Sequence, residues 1–144
     1  MSLTHALTPF WPKLPLVLHV LVESAAATSF ILKPSSQIKD PSLEVQLVLQ
    51  TLGGLLLSTN LVSLAVIFRP GFDNTSRLLA AALASWHAWP MRRAWVRLSV
   101  AKGDRVKQKK GKEEHVVFGG PLVHLVVHAV LGITLLGSAM FGGI

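Results

Sequence analysis

Four stretches of this chain are too apolar to lie against water, and their lengths constrain the fold more than any other feature. A helix needs about 20 largely apolar residues to cross the bilayer hydrocarbon, where no backbone polar group can be left unpaired. Leu14 to Leu32 lies between Lys13 and Lys33 and is interrupted only by Glu23. Val45 to Phe68 carries no charge and ends at Arg69-Pro70. Val116 to Ile144 is also uncharged, and Pro121 suits the first turn of a span over 118–141. The remaining span, 76–98, is charge-free only from Leu78 to Met91 and has Pro90 near its end. If it crosses fully, Arg92, Arg93 and Arg97 must snorkel towards headgroups, with Trp86, Trp89 and Trp95 at that interface. The alternative is a re-entrant or interfacial helix. The spans at 14–32, 45–68, 76–98 and 118–141 predict an all-α, integral membrane four-helix bundle, with 1–144 as one transmembrane domain. Ala25-Ala26-Ala27 loosely matches a signal-peptide cleavage site, but Glu23 inside the apolar region predicts a retained first span.

Charge then sets the expected orientation. With four spans, 33–44 and 92–115 fall on one side and hold eleven Lys and Arg, against three on the other side. The positive-inside rule places the basic loops in the cytosol and both termini in the lumen or outside. A formal net charge of +7 would suit nucleic acid, but nine of the fourteen Lys and Arg lie between Arg92 and Lys112. So localised a charge reads as a basic cytosolic loop at 99–115, a topology determinant drawn to anionic headgroups, and no nucleic-acid partner is expected. The chain has no cysteine, which removes disulfides, thiolate metal sites and cysteine nucleophiles. Asn74-Thr75-Ser76 fits the glycosylation acceptor pattern, yet so close to a span it reads rather as a helix cap.

Ionisable groups are costly in hydrocarbon, so they should face the bundle interior and mark function. His19 and Glu23 are i, i+4 neighbours on the first span. Gln46, Gln50, Gly53, Leu57 and Asn60 run down one side of the second. The third carries Ala80, Ala84 and Ala88 with His87 beside them, and the fourth aligns His124, His128 and Gly132. Each polar residue shares a stripe with small ones, where membrane helices approach closely. At about 1.5 Å rise per residue, Glu23, His87 and His128 fall near mid-depth. They should meet in one layer, with His19 and Asn60 on the lumenal side and His124 on the cytosolic side.

Three functions are compatible with that layer. In the first, a membrane-embedded acid/base enzyme of cyclase or isomerase type acts on a lipophilic small molecule without a cofactor. Glu23 donates a proton to an alkene, epoxide or carbonyl, His87 or His128 removes one elsewhere, and Asn60 orients the substrate in a pocket that includes His19, His124 and Gln50. In the second, His124, His128, His19 and Glu23 ligate a transition metal, or a His pair holds haem. In the third, the bundle is a non-catalytic scaffold or assembly factor, and each polar group serves interhelical packing. The alanine stripe on the third span would serve internal packing or a homo-oligomer equally well.

His19-Val-Leu-Val-Glu23, Gly53-Gly54-Leu-Leu-Leu-Ser-Thr-Asn60, Trp86-His-Ala-Trp-Pro90 and Gly120-Pro-Leu-Val-His124 together resemble small, largely uncharacterised four-span membrane proteins of filamentous fungi. The resemblance covers nearly the whole chain. It implies an endomembrane location such as the endoplasmic reticulum and a place in secondary-metabolite biosynthesis, where small membrane cyclases and isomerases occur. It transfers no catalytic residue.

Overall fold

The computed structural model describes residues 10–107 and 119–142. Among these residues there is no strand, and the helices form an all-α bundle. Helix α1 (Leu14–Leu32) follows a 3-10 turn at Trp11–Lys13 and keeps the bounds set by the flanking lysines. Helix α2 (Leu43–Ile67) starts two residues before the expected apolar run. Its start is fixed by Ser42, whose Oγ accepts from the Val45 N–H, and Glu44 lies in the first turn near the positive end of the helix. Helix α5 (Gly120–Phe141) begins after Gly119, whose φ of 77° is the left-handed conformation that glycine tolerates.

The third span is two helices: α3 (Asn74–Trp86) and α4 (Ala88–Lys107). The cap of α3 is Asp73 rather than the Asn-Thr-Ser run, since its Oδ1 accepts from both the backbone N–H and the hydroxyl of Ser76 at 2.9 Å. The break at His87 has a covalent cause. Pro90 has no N–H to offer the Trp86 carbonyl and its ring crowds that oxygen, so the helix cannot run on unbroken. The chain tightens there, with the His87 N–H donating to the Ala84 carbonyl at 3.2 Å. Beyond the break the helix continues to Lys107, past the expected end at Leu98. A loop beginning at residue 99 is thereby corrected, and 108–115 lies outside the described residues.

Helices α1, α2 and α5 are each long and apolar enough to cross a membrane. Large apolar side chains such as Leu21, Leu61, Leu78 and Ile133 are exposed, while His19, Glu23, Asn60, Ser63, Ser76 and His87 are buried. That inversion of the water-soluble pattern is what a hydrocarbon solvent dictates, because it rewards no burial of leucine and penalises every unpaired polar group. This is a membrane protein.

Helix α1 packs along α2, and α5 packs along both α3 and α4 while also touching α1. Gly53 allows the first contact: a Cβ there would lie 2.6 Å from Ile31 Cγ1 and 3.1 Å from the Ala27 carbonyl oxygen. Gly132 allows the second, with a Cβ position 3.4 Å from that of His87. The start of α1, the end of α2, the start of α3 and the end of α5 share one end of the bundle. Lys13 Nζ donates to the carbonyls of Ile67 and Arg69 at the end of α2. Arg77 donates to Ala139 O at 2.7 Å and Met140 O at 3.0 Å at the end of α5. Both cations thus satisfy orphan carbonyls at helix C-termini.

Candidate functional site

Two apolar clusters, Leu16-Val66-Leu83-Leu135 and Ala27-Phe30-Leu49-Leu56, sit towards opposite ends of the bundle. Between them along α1 lies a polar layer. Helix α1 supplies His19 and Glu23 from adjacent turns of one face, the break between α3 and α4 supplies His87, and α5 supplies His128 one turn from Gly132. All four are buried, and His19 and His87 are 0% exposed. The expectation that Glu23, His87 and His128 meet in one layer holds in their distances.

The three imidazoles form a chain. His19 Nδ1 lies 3.1 Å from His87 Nε2, and His87 Nδ1 lies 2.9 Å from His128 Nδ1. A neutral imidazole has one N–H, so the chain has two self-consistent proton arrangements. In one, His19 donates to His87, which donates to His128. In the other, every donor and acceptor is exchanged. Passing from the first to the second takes up one proton at His19 Nε2 and releases one from His128 Nε2. Glu23 Oε1 lies 3.7 Å from both His87 Nδ1 and His128 Nδ1. Among the described residues it has no hydrogen-bond partner, and neither has His19 Nε2. Buried polar atoms left single in this way point to a missing partner.

For Glu23 that partner would come from a cavity of about 180 Å³ walled by Glu23, His128, His124, Trp86, Trp89, Phe30, Pro90, Arg93 and Arg97. A second cavity of about 250 Å³ between α1 and α5 shares Ala26, Phe30, His124 and His128 with it and adds Gln37. His124 therefore lines both spaces, while its Nδ1 lies 3.2 Å from the Gly120 carbonyl.

Two expected site residues lie elsewhere. Gln50 is exposed on α2. The buried stripe of that helix is Leu49, Gly53, Leu56, Asn60, Ser63 and Val66, rotated from the expected one and sharing only Gly53 and Asn60 with it. Asn60 is buried, but its Nδ2 donates to Ser24 Oγ at 2.9 Å, so it fastens α2 to α1, and it is not among the residues that line the cavity beside Glu23. The metal set that includes His124 is also changed. His19, Glu23 and His87 bring ligand atoms within 4.8 Å of one another, and His128 joins Glu23 and His87 as closely. Sequence reading missed Arg93 and Arg97 as cavity residues and assigned them to headgroups. The signal was present: Trp86, Pro90, Arg93, Ala94 and Arg97 recur at helical spacing, and all five line the cavity. No protein family, curated protein or solved structure matches this chain, so its function rests on the site itself.

Proposed function

We propose that this protein is a membrane-embedded acid/base enzyme that rearranges a lipophilic small molecule by proton transfer, as a cyclase or isomerase does. One observation carries the reading: a buried carboxyl oxygen without a partner stands 3.7 Å from two imidazole nitrogens, on the wall of a cavity. Protonated Glu23 delivers its proton to an alkene, epoxide or carbonyl, and the electron-poor carbon that results reacts within the same molecule. His128, which lines the cavity, removes a proton from a neighbouring carbon. One proton is added and one removed, so the product is an isomer of the substrate, and return of the proton from His128 to Glu23 resets the site. His87 holds the His128 ring by their shared hydrogen bond. Asn60 positions α1 through Ser24. Trp86, Trp89 and Phe30 wall the space, and aromatic faces stabilise passing positive charge.

The same atoms support a second reading. Glu23 Oε1, His87 Nδ1 and His128 Nδ1 form a triangle with sides of 3.7, 3.7 and 2.9 Å. The point equidistant from its corners lies about 2.0 Å from each, the length of a zinc–nitrogen or zinc–oxygen bond. A single divalent ion fits that point. Haem fits less well: two axial imidazole nitrogens stand roughly 4 Å apart across the iron, whereas these are 2.9 Å apart.

The decisive experiment is complementation of a host lacking the gene. The wild type should restore a lipophilic metabolite, and Glu23→Gln and His128→Ala should accumulate in the membrane without restoring it. Restoration by both variants would refute the acid/base assignment. Elemental analysis of the purified protein separates the two readings, since one zinc, iron or copper per chain, lost in Glu23→Gln, establishes the metal form. For location, the basic segments on the cytosolic side are supported by charge asymmetry. At the opposite end Lys13 and Arg77 are already committed to helix C-termini and Arg69 to Asp73 at 2.5 Å.

A further inference from the structure

We propose that the substrate is a small amphiphile with an anionic end, a carboxylate or phosphate, which Arg93 and Arg97 hold while its apolar body reaches Glu23 and His128. This inference rests on the reading of the cavity as a substrate site, and it names the class of molecule that the site takes. Arg93 and Arg97 are i, i+4 neighbours on α4 and line the same cavity as Glu23. Among the described residues, neither guanidinium has a carboxylate within 4.0 Å; Arg93 has only the Gln37 Oε1, at 3.5 Å. Two like charges thus line one space, with no counter-ion there among the described residues. A paired guanidinium fork is suited to a carboxylate or phosphate.

Distance and volume limit the molecule further. Six residues separate His87 from Arg93, an axial rise of about 9 Å. The anionic end accordingly lies towards the α4 arginines and the reacting carbon towards Glu23 and His128. A space of about 150 Å³ accepts a benzene ring, so the 180 Å³ cavity beside Glu23 has room for a body of ring size. The walls also include Trp86, Trp89 and Phe30, which suit an unsaturated or aromatic body. A bulk phospholipid shares the head-group chemistry, and competition with one is an arm of the test.

The test uses quenching of tryptophan fluorescence in nanodiscs of phosphatidylcholine, because Trp86 and Trp89 face the cavity. The probes are 4-(4-bromophenyl)butanoate and the uncharged alcohol of the same skeleton. The carboxylate should bind about tenfold more tightly than the alcohol, which is what one charge-assisted hydrogen bond contributes. The double variant Arg93→Gln, Arg97→Gln should erase the preference and leave the affinity for the alcohol unchanged. Arg93→Lys, Arg97→Lys, which keeps the charge and the helix, should retain part of it. Glu23→Gln should retain all of it, so that loss of turnover and loss of head-group binding report on different claims. Equal binding of the two probes by the wild type overturns the proposal, as does a preference that survives the double Gln variant. Displacement of the carboxylate by phosphatidylglycerol added to the nanodisc would also overturn it, by assigning the arginines to membrane lipid.

Discussion

Gly53→Ala should loosen the seam that carries the site, and the adjacent Gly54 provides the control. The new methyl of Gly53→Ala would lie 2.6 Å from Ile31 Cγ1, 3.2 Å from Ile31 Cδ1 and 3.1 Å from the Ala27 carbonyl oxygen. The Ile31 side chain can turn away. The carbonyl belongs to the α1 backbone, so α1 and α2 must separate by a few tenths of an ångström. Overpacking of this kind costs about 1–3 kcal/mol, against about 0.5–1 kcal/mol gained from replacing a mid-helix glycine by alanine. At Gly54 an added Cβ meets nothing within 4 Å, so only the gain remains. The propensity term is common to both variants, and the difference between them isolates the contact: Gly54→Ala should exceed Gly53→Ala by about 1–3 kcal/mol.

The assay is reversible unfolding in mixed micelles of increasing SDS content, followed by far-UV circular dichroism. Ala27 is one turn beyond Glu23, so the same displacement should reach the polar layer. Gly53→Ala should therefore lose activity beyond its loss of folded protein. If the two alanine variants unfold within about 0.5 kcal/mol of each other, α1 and α2 do not approach as closely as the glycine implies and the packing account is wrong.

Two further perturbations test the elements on either side of His87. The Ser76 N–H and hydroxyl, with Arg69 contributing less, hold the Asp73 carboxyl below its ordinary value of 3.8. A depressed folded value means that its contribution to stability is complete above about pH 3.8 and disappears as pH falls through the folded value. The unfolding midpoint of the wild type should accordingly drop on acidification below pH 3.8 and approach that of Asp73→Ala, and curves that stay parallel would show that the carboxylate is not the cap. Pro90→Ala restores an N–H for the Trp86 carbonyl and should straighten α3 and α4 into one helix. Spin labels at the exposed positions 78 and 100 should move apart towards the roughly 33 Å of an unbroken helix, with an unchanged distance as the refuting result.

The spans were legible in the sequence because charge bounds them. Lys13 and Lys33 mark the edges of α1 so sharply that no residue was misplaced. The start of α2 was not legible from hydropathy, since it is decided by the Ser42 hydroxyl and its bond to the Val45 N–H. Facing was less secure. On α2 the stripes Gln46-Gln50-Gly53-Leu57-Asn60 and Leu49-Gly53-Leu56-Asn60 differ by a fraction of a turn, and periodicity alone does not choose between them. The structure chooses the stripe whose leucines pack against α1, which leaves Gln50 outside. Depth succeeded better than facing. Counting residues from span edges brought Glu23, His87 and His128 to one level, and their atoms lie within 3.7 Å of one another. Residue counting puts His19 one turn above that level, yet its Nδ1 lies 3.1 Å from His87 Nε2, a matter of side-chain direction that counting omits.

The break at His87 explains why the acid layer and the arginines serve one cavity without facing the same way. At about 100° per residue, an unbroken helix would turn the stripe Trp86-Pro90-Arg93-Ala94-Arg97 roughly 80° away from His87. The imidazole would then face one neighbour and the arginines another. Here His87 looks inward at His19 and His128, while the stripe after it lines the space beside Glu23. His87 is accordingly the back wall of the reactive layer, and α4 is the wall of the chamber in front of it. The residue responsible is Pro90, which removes one backbone hydrogen bond and allows α3 and α4 to meet α5 along separate contacts. A proline in a membrane helix is tolerated when neighbouring groups satisfy what it frees, and the half-buried Trp86 whose carbonyl it crowds also leaves its indole N–H without a partner inside the protein. The break thus leaves the Trp86 indole N–H on the wall of the cavity that Glu23 also lines.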